Sequence, residues 1–215
     1  MAEQESTSRR RCVRCHRPAS HCLCAHITVV ENRTRVLVLQ HPDEHRHALN
    51  TARLAVLGLG RAELLVGESF PQLHKILAAS NGAVLLFPDE SAPIPQPLAV
   101  HRAAAPGLLI VPDGTWRKAR KIVHANPILN TLRRLSLPLG EASRYRVRKT
   151  AVPAAVSTIE AIERALAMLE PDQDFRPMLK PFDVMIDQQI AAMGEEVYRR
   201  HHLSAVLRRA SRGLK

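Results

Sequence analysis

The sequence predicts an α/β protein with a mainly parallel sheet flanked by helices, preceded by a small cysteine-bearing segment. Short apolar runs rich in β-branched residues recur along the chain, with helically spaced stretches between them. Such runs suit strands covered on both faces. All four cysteines fall between residues 12 and 24. These observations divide the chain into a knuckle over 1–30 and a larger domain over 31–215.

The elements follow in order. "RVLVLQ" (35–40) reads as a buried strand and runs into "HPDEHRHALN". "TARLAVLGLG" (51–60) has helical spacing and a glycine stop. "RAELLV" (61–66) is a second strand, "PQLHKILAAS" (71–80) a helix begun with proline, and "GAVLLF" (82–87) a third strand. Residues 88–107 hold five prolines and read as loop. "LLIV" (108–111) is a fourth strand, with a helix from about Trp116. In "VSTIEAIERALAML" (156–169), Ser157 and Glu160 have the spacing of a capping box. "DVMIDQQIAAM" (183–193) and the basic "HHLSAVLRRASRGLK" (201–215) complete the helices.

Hydrophobic residues make up 46% of 215, enough for a full core, while aromatics at 3% leave that core to Leu, Val, Ile and Ala. No apolar run approaches the roughly 20 residues of a membrane span. The opening "MAEQES" lacks the basic start and apolar stretch of a secretory signal, so a cytoplasmic protein is expected. The net charge of +11 is clustered, at Arg9–Arg11, at 117–121, at 144–149 and in the tail, which favours a polyanionic partner such as nucleic acid. Nothing in the sequence fixes an oligomeric state.

Four thiolates make a complete tetrahedral set for Zn2+, and Cys12-x2-Cys15 is a usual half-site. Cys22-x-Cys24 is tighter, which keeps His16, His21 and His26 open as substitutes. The expected site is structural, its shell closed to catalysis. Arg11, Arg14 and Arg17 around it suit RNA backbone, and a metal that simply staples the N-terminal segment is the other reading.

No dinucleotide, NTP, zincin or nucleophile-elbow motif is present. What remains is a set of polar islands at strand ends: "HPDE" (41–44), "NTA" (50–52), "DGTW" (113–116) and "RVRKTAVPAAVSTIEA" (146–161). With the cysteine segment, these islands resemble the DTW-domain family in residue type and order, over roughly residues 12–165. The resemblance implies a tRNA-uridine aminocarboxypropyltransferase. Such an enzyme moves the 3-amino-3-carboxypropyl group of S-adenosylmethionine to N3 of a tRNA uridine, giving acp3U, at position 47 in the bacterial members. It also implies a SPOUT-like fold with a C-terminal trefoil knot.

Each island then has two readings. Asp113 is the candidate general base for the uracil N3–H, or a cap for the helix near Thr115. Trp116 stacks on a ligand's flat ring, or packs in the core. Ser157, Thr158 and Glu160 receive the donor's amino-acid arm, or form an ordinary capping box. Arg148 and Lys149 hold the donor carboxylate or a tRNA phosphate. Asp43 and Glu44 contact the donor ribose or are solvated charges. The resemblance adds His41, Pro112 and Thr115 to the donor site, although most histidines read as surface residues. Arg117, Lys118, Arg120, Lys121 and the basic tail are candidates for tRNA phosphate contact. A SAM-dependent RNA methyltransferase and a non-catalytic zinc-knuckle RNA-binding protein are the competing functions.

Overall fold

The structure, a computed structural model, describes residues 10–45, 47, 49–88, 106–138, 143–147 and 156–200. Its elements are β1 (Arg35–Gln40), α1 (Pro42–His45), α2 (Thr51–Leu57), β2 (Ala62–Val66), α3 (Leu73–Ala78), β3 (Ala83–Leu86) and β4 (Leu108–Asp113). Then come α4 (Trp116–Ala125), β5 (Arg133–Leu135), α5 (Thr158–Leu169), α6 (Lys180–Met193) and α7 (Glu195–Tyr198). The α/β expectation holds. The tail over 201–215 and most of the proline-rich 88–107 stretch lie outside the described residues.

All pairings in the five-stranded sheet are parallel, in the order β2-β1-β4-β3-β5. Its centre, β1 and β4, is apolar because both faces are covered. Val36, Val38, Leu109 and Val111 point to one side, with Leu54, Ile159, Ile162, Phe182 and Met185 of the helices α2, α5 and α6. Leu37, Leu39, Leu108 and Ile110 point to the other, against Phe70, Leu73, Ile122 and Leu129. Each fully buried Leu or Ile contributes about 1.5–3 kcal/mol relative to exposure, which keeps β1 and β4 at the centre of the sheet and away from its edges.

The short helices α1 and α7 were not foreseen, and two further details differ from the sequence reading. The helix expected to begin at Pro71 begins at Leu73, because Pro71 and Gln72 form a turn instead. β5, only three residues long, was not anticipated: "RRL" has neither the length nor the composition of a strand, and its pairing with β3 creates it. Before β1, the cysteine segment folds onto the body. Leu23 is fully buried in the core of the α2/α5/α6 side, and Cys12, Cys22 and Cys24 pack against that core.

Candidate active site at the strand ends

After β1 the chain moves to one side of the sheet, and after β4 to the other. Crevices at such a switch in strand order are where open parallel sheets bind ligands. Gln40 and Asp113, the last residues of β1 and β4, lie directly opposite each other in register. A cavity of about 810 Å3 opens there, within the usual range of roughly 300–1,000 Å3 for small-molecule sites. It is walled by the ends of β3, β4 and β5 and by the starts of α2, α4 and α5.

Asp113 lines this cavity although its side chain is almost wholly buried. Its Oδ2 accepts a hydrogen bond from Gln40 Nε2 at 2.8 Å, and its Oδ1 accepts one from the Thr158 hydroxyl. Gln40 is itself anchored through Asn50 Oδ1 at 3.1 Å. The two partners aim the carboxylate. It does not cap the following helix. That role belongs to Thr115, whose hydroxyl accepts from the Lys118 N–H.

Two backbone features open the crevice. The Asp113 carbonyl accepts from the His41 N–H, so Asp113 faces β1 and Pro112 faces the other way. On that side the β3–β4 pairing has already ended at Ile110, and the N–H that proline lacks is missed by no strand. Gly114 follows with φ of 154°, and a Cβ there would sit 2.9 Å from that of Lys118. Glycine therefore allows the tight step from β4 into α4.

Trp116 is not a core residue. It is 49% exposed, lines the cavity, and is backed edge-on by Phe87 with ring centroids 5.9 Å apart. The guanidinium of Arg134 lies over the other ring, 5.4 Å from its centroid. The result is an indole held at the rim with room on its open side for a flat ring.

Across the cavity, Ser157 and Thr158 line the wall but Glu160 does not. The Glu160 carboxylate, buried at the start of α5, accepts from the Ser157 N–H (2.8 Å) and hydroxyl (2.6 Å), the Ser143 hydroxyl (2.7 Å) and the Arg144 N–H (2.7 Å). The capping box is thus formed and also latches the 143–147 segment. That segment is tied to α6 by Arg144–Asp183 (3.1 Å) and Arg146–Asp187 (2.7 Å), and it presents Tyr145 and Val147 to the cavity. Arg148 and Lys149 follow it and lie outside the described residues.

His41 is neither at the surface nor in the cavity wall. It is buried, with Nε2 2.9 Å from Glu68 Oε1. Glu68 also pairs with Lys121 at 2.7 Å, which holds its carboxyl below the ordinary range, and His41 adds to that. Lys118 bridges Glu44 (2.8 Å) and Asp43 (3.3 Å), an arrangement that raises the ammonium above its ordinary value. Glu44 lines the cavity and joins it to this ion-paired rim, while Asp43 is not part of the wall. Arg117 and Arg120 are exposed on α4, as are Arg11 and Arg14 on the cysteine segment. Arg17, expected on the same surface, is buried instead: its Nε donates to the His21 carbonyl and a terminal nitrogen reaches Gln188 of α6.

The four cysteine sulfurs lie within 4.8 Å of one another. The Cys12–Cys24 and Cys15–Cys22 separations are 3.6 and 3.8 Å. Zinc–sulfur bonds of about 2.3 Å in a tetrahedron place sulfurs roughly 3.8 Å apart, so the set fits that ion without help from a histidine. Backbone N–H groups of Cys15 and Arg14 hold the Cys12 thiol down to about 6, and burial pushes Cys24 up to about 12.

Sequence reasoning missed Gln40, Tyr145 and Arg164 as members or supports of this site. Gln40 carried a readable signal, a polar residue closing an otherwise apolar strand. Arg164 lines the cavity but looks in sequence like any exposed helix residue.

A family profile described as the DTW domain matches residues 9–190. The chain is 30% identical over 194 residues to tRNA-uridine aminocarboxypropyltransferase 2 of Drosophila melanogaster, covering 85% of this chain and 76% of the relative. It is 26% identical over 196 residues to the protein of that name from Mus musculus, covering 87% and 66% respectively. To tRNA-uridine aminocarboxypropyltransferase A of Arabidopsis thaliana it is 29% identical over 205 residues, covering 79% and 76%. No solved structure matches the chain. None of the helices among the described residues is long and apolar enough to cross a membrane.

Proposed function

Because this chain belongs to the DTW-domain family, we propose that it is a tRNA-uridine aminocarboxypropyltransferase using S-adenosylmethionine as donor. The observation that carries the chemistry is the oriented Asp113 carboxylate at the switch point of the sheet, facing a cavity of nucleoside scale beside an exposed indole. The donor supplies a three-carbon arm activated by its sulfonium. A bond forms from uridine N3 to that arm as its bond to sulfur breaks, the proton leaves N3, and 5′-methylthioadenosine is the by-product.

In this reading the protein does three things. Asp113 accepts the N3 proton, held in place by Gln40 and Thr158. Trp116 offers its open face to a base, the donor's adenine or the extruded uracil. The wall from Ser157 and Thr158, with Pro112 and Thr115 opposite, encloses the donor, while Arg148 and Lys149 take its carboxylate. Glu160 and His41 shape that wall from behind. Arg11, Arg14, Arg117 and Arg120 meet tRNA phosphates, and the four cysteines hold a structural Zn2+. A SPOUT-like fold with a C-terminal knot belongs to the same reading, supported by the all-parallel sheet and its switch point.

Purified protein incubated with S-adenosylmethionine and unmodified tRNA should yield acp3U by nucleoside mass spectrometry. We assign the target to the variable loop, position 47, which analysis of tRNA fragments locates. A methylated uridine would instead make the chain a methyltransferase. Binding of tRNA without donor binding or product would make it a non-catalytic RNA-binding protein.

A further inference from the structure

The cysteine cluster and the cavity are joined by a short, continuous set of contacts. His16, in the turn that follows Cys15, has a left-handed φ of 58° and donates its N–H to the Cys12 carbonyl at 2.8 Å. Its ring meets the His45 ring edge-on, with centroids 5.6 Å apart and an interplanar angle of 89°. His45 ends α1, whose preceding residue Glu44 lines the cavity. His45 Nδ1 is buried and makes no hydrogen bond among the described residues, and the His16 ring is a contact that helps to hold this side chain. Arg53, in the first turn of α2, is near enough to Cys15 and His16 to interact electrostatically with both. Its N–H donates to Asn50 Oδ1 at 3.1 Å. Asn50 in turn donates to the Glu44 carbonyl (3.1 Å) and accepts from Gln40, the residue that holds Asp113.

We propose that His16, His45 and Arg53 are positioning residues through which a metal-loaded cysteine cluster sets the part of the cavity wall formed by Glu44, Asn50 and Thr51, so that a thiophilic divalent cation raises donor affinity without approaching the donor. The physical basis is that the metal folds its own loop. Four thiolates are held side by side only by the cation they share, and in such loops metal binding supplies folding free energy. Four thiolates around one divalent ion leave a local charge of −2, which attracts the half-buried Arg53. An ordered loop places the His16 ring against His45; an unfolded one removes that support, and α1 is a single turn with little stability of its own. This inference rests on the reading of the cavity as the donor site.

The test is calorimetric titration of S-adenosylmethionine into three samples whose metal content is read by atomic emission. They are the metal-loaded protein, the same protein stripped by a chelator under reducing conditions, and metal-loaded His16→Asn, asparagine being tolerant of a left-handed φ. Stripping should weaken donor binding about 5- to 150-fold, the ordinary span of coupling between sites. His16→Asn, with its metal retained, should weaken it about two- to tenfold, as loss of one aromatic pair does. Adding His45→Ala should then cost little more, because both changes remove one contact. Equal affinity in the loaded, stripped and His16→Asn samples overturns the proposal. Where stripping unfolds the chain, the His16→Asn comparison alone decides; where that variant loses metal, His45→Ala, outside the cysteine loop, is read instead. Loaded protein that binds no donor at all counts against the donor-site reading and not against this coupling.

Discussion

Two helices begin on opposite sides of the cavity, α4 at Trp116 and α5 at Thr158, each preceded by a hydroxyl residue that ordinary capping grammar would select. At α5 the first turn is turned inward. Ser157 and Glu160 are buried, and the glutamate satisfies donors of its own helix and of the neighbouring 143–144 segment. At α4 the first turn holds no acid, its cap and its tryptophan are exposed, and Arg117 and Lys118 follow at the positive end of the helix dipole. One start builds the wall; the other leaves its ring and positive end toward whatever enters. A motif at a helix start therefore does not reveal its role until the burial of its third residue is known.

The sharpest way to break this contrast is at the residues that differ most. Asp113→Asn should lower turnover about 10²- to 10⁴-fold, the usual contribution of a general base, with donor affinity nearly unchanged in calorimetry. An active variant would move Asp113 out of the proton-transfer role. Glu160→Ala should act on the fold: four donors lose their acceptor, and chemical denaturation should show a loss on the order of 3 kcal/mol. If Glu160→Ala instead left stability intact and abolished only donor binding, the two helix starts would be alike after all.

Trp116→Ala should do the reverse of Glu160→Ala. Stacking on a base is worth about 1–3 kcal/mol, so KM for donor or tRNA should rise while the melting temperature stays close to that of the parent. A large drop in melting temperature would return Trp116 to the core. The smallest effect concerns Lys118, whose ammonium is raised above its ordinary 10.5 by Glu44 first and then Asp43. A raised folded value means this contribution is complete below pH 10.5 and fades as pH climbs through the folded value. Thermal unfolding followed from pH 8 to pH 11.5 should show an alkaline decline that is shallower in Lys118→Met.

The central strands, α4 and α5 were legible because each writes its environment into its composition: unbroken apolar residues where both faces are covered, a polar cap where a helix must begin. The four-cysteine cluster was legible for the same local reason, four sulfurs within one turn-rich segment. What could not be read is what depends on distant chain. β5 forms only because β3 offers it an edge. Arg17 looked like its neighbours Arg11 and Arg14, yet α6, far along the chain, covers it. Glu160 and Asp113 both appeared in motif islands, and only the three-dimensional arrangement shows one carboxylate facing the cavity and the other turned away from it.

The position of β4 has a consequence for how the molecule is made. It lies between β1 and β3, yet it leaves the ribosome after both. Until it arrives, two apolar strands wait with open edges, and no early fragment ending before residue 108 can close the sheet. The strand inserted there also carries Asp113 at its tip, so joining β1 to β3 and bringing that carboxylate to the cavity are one event.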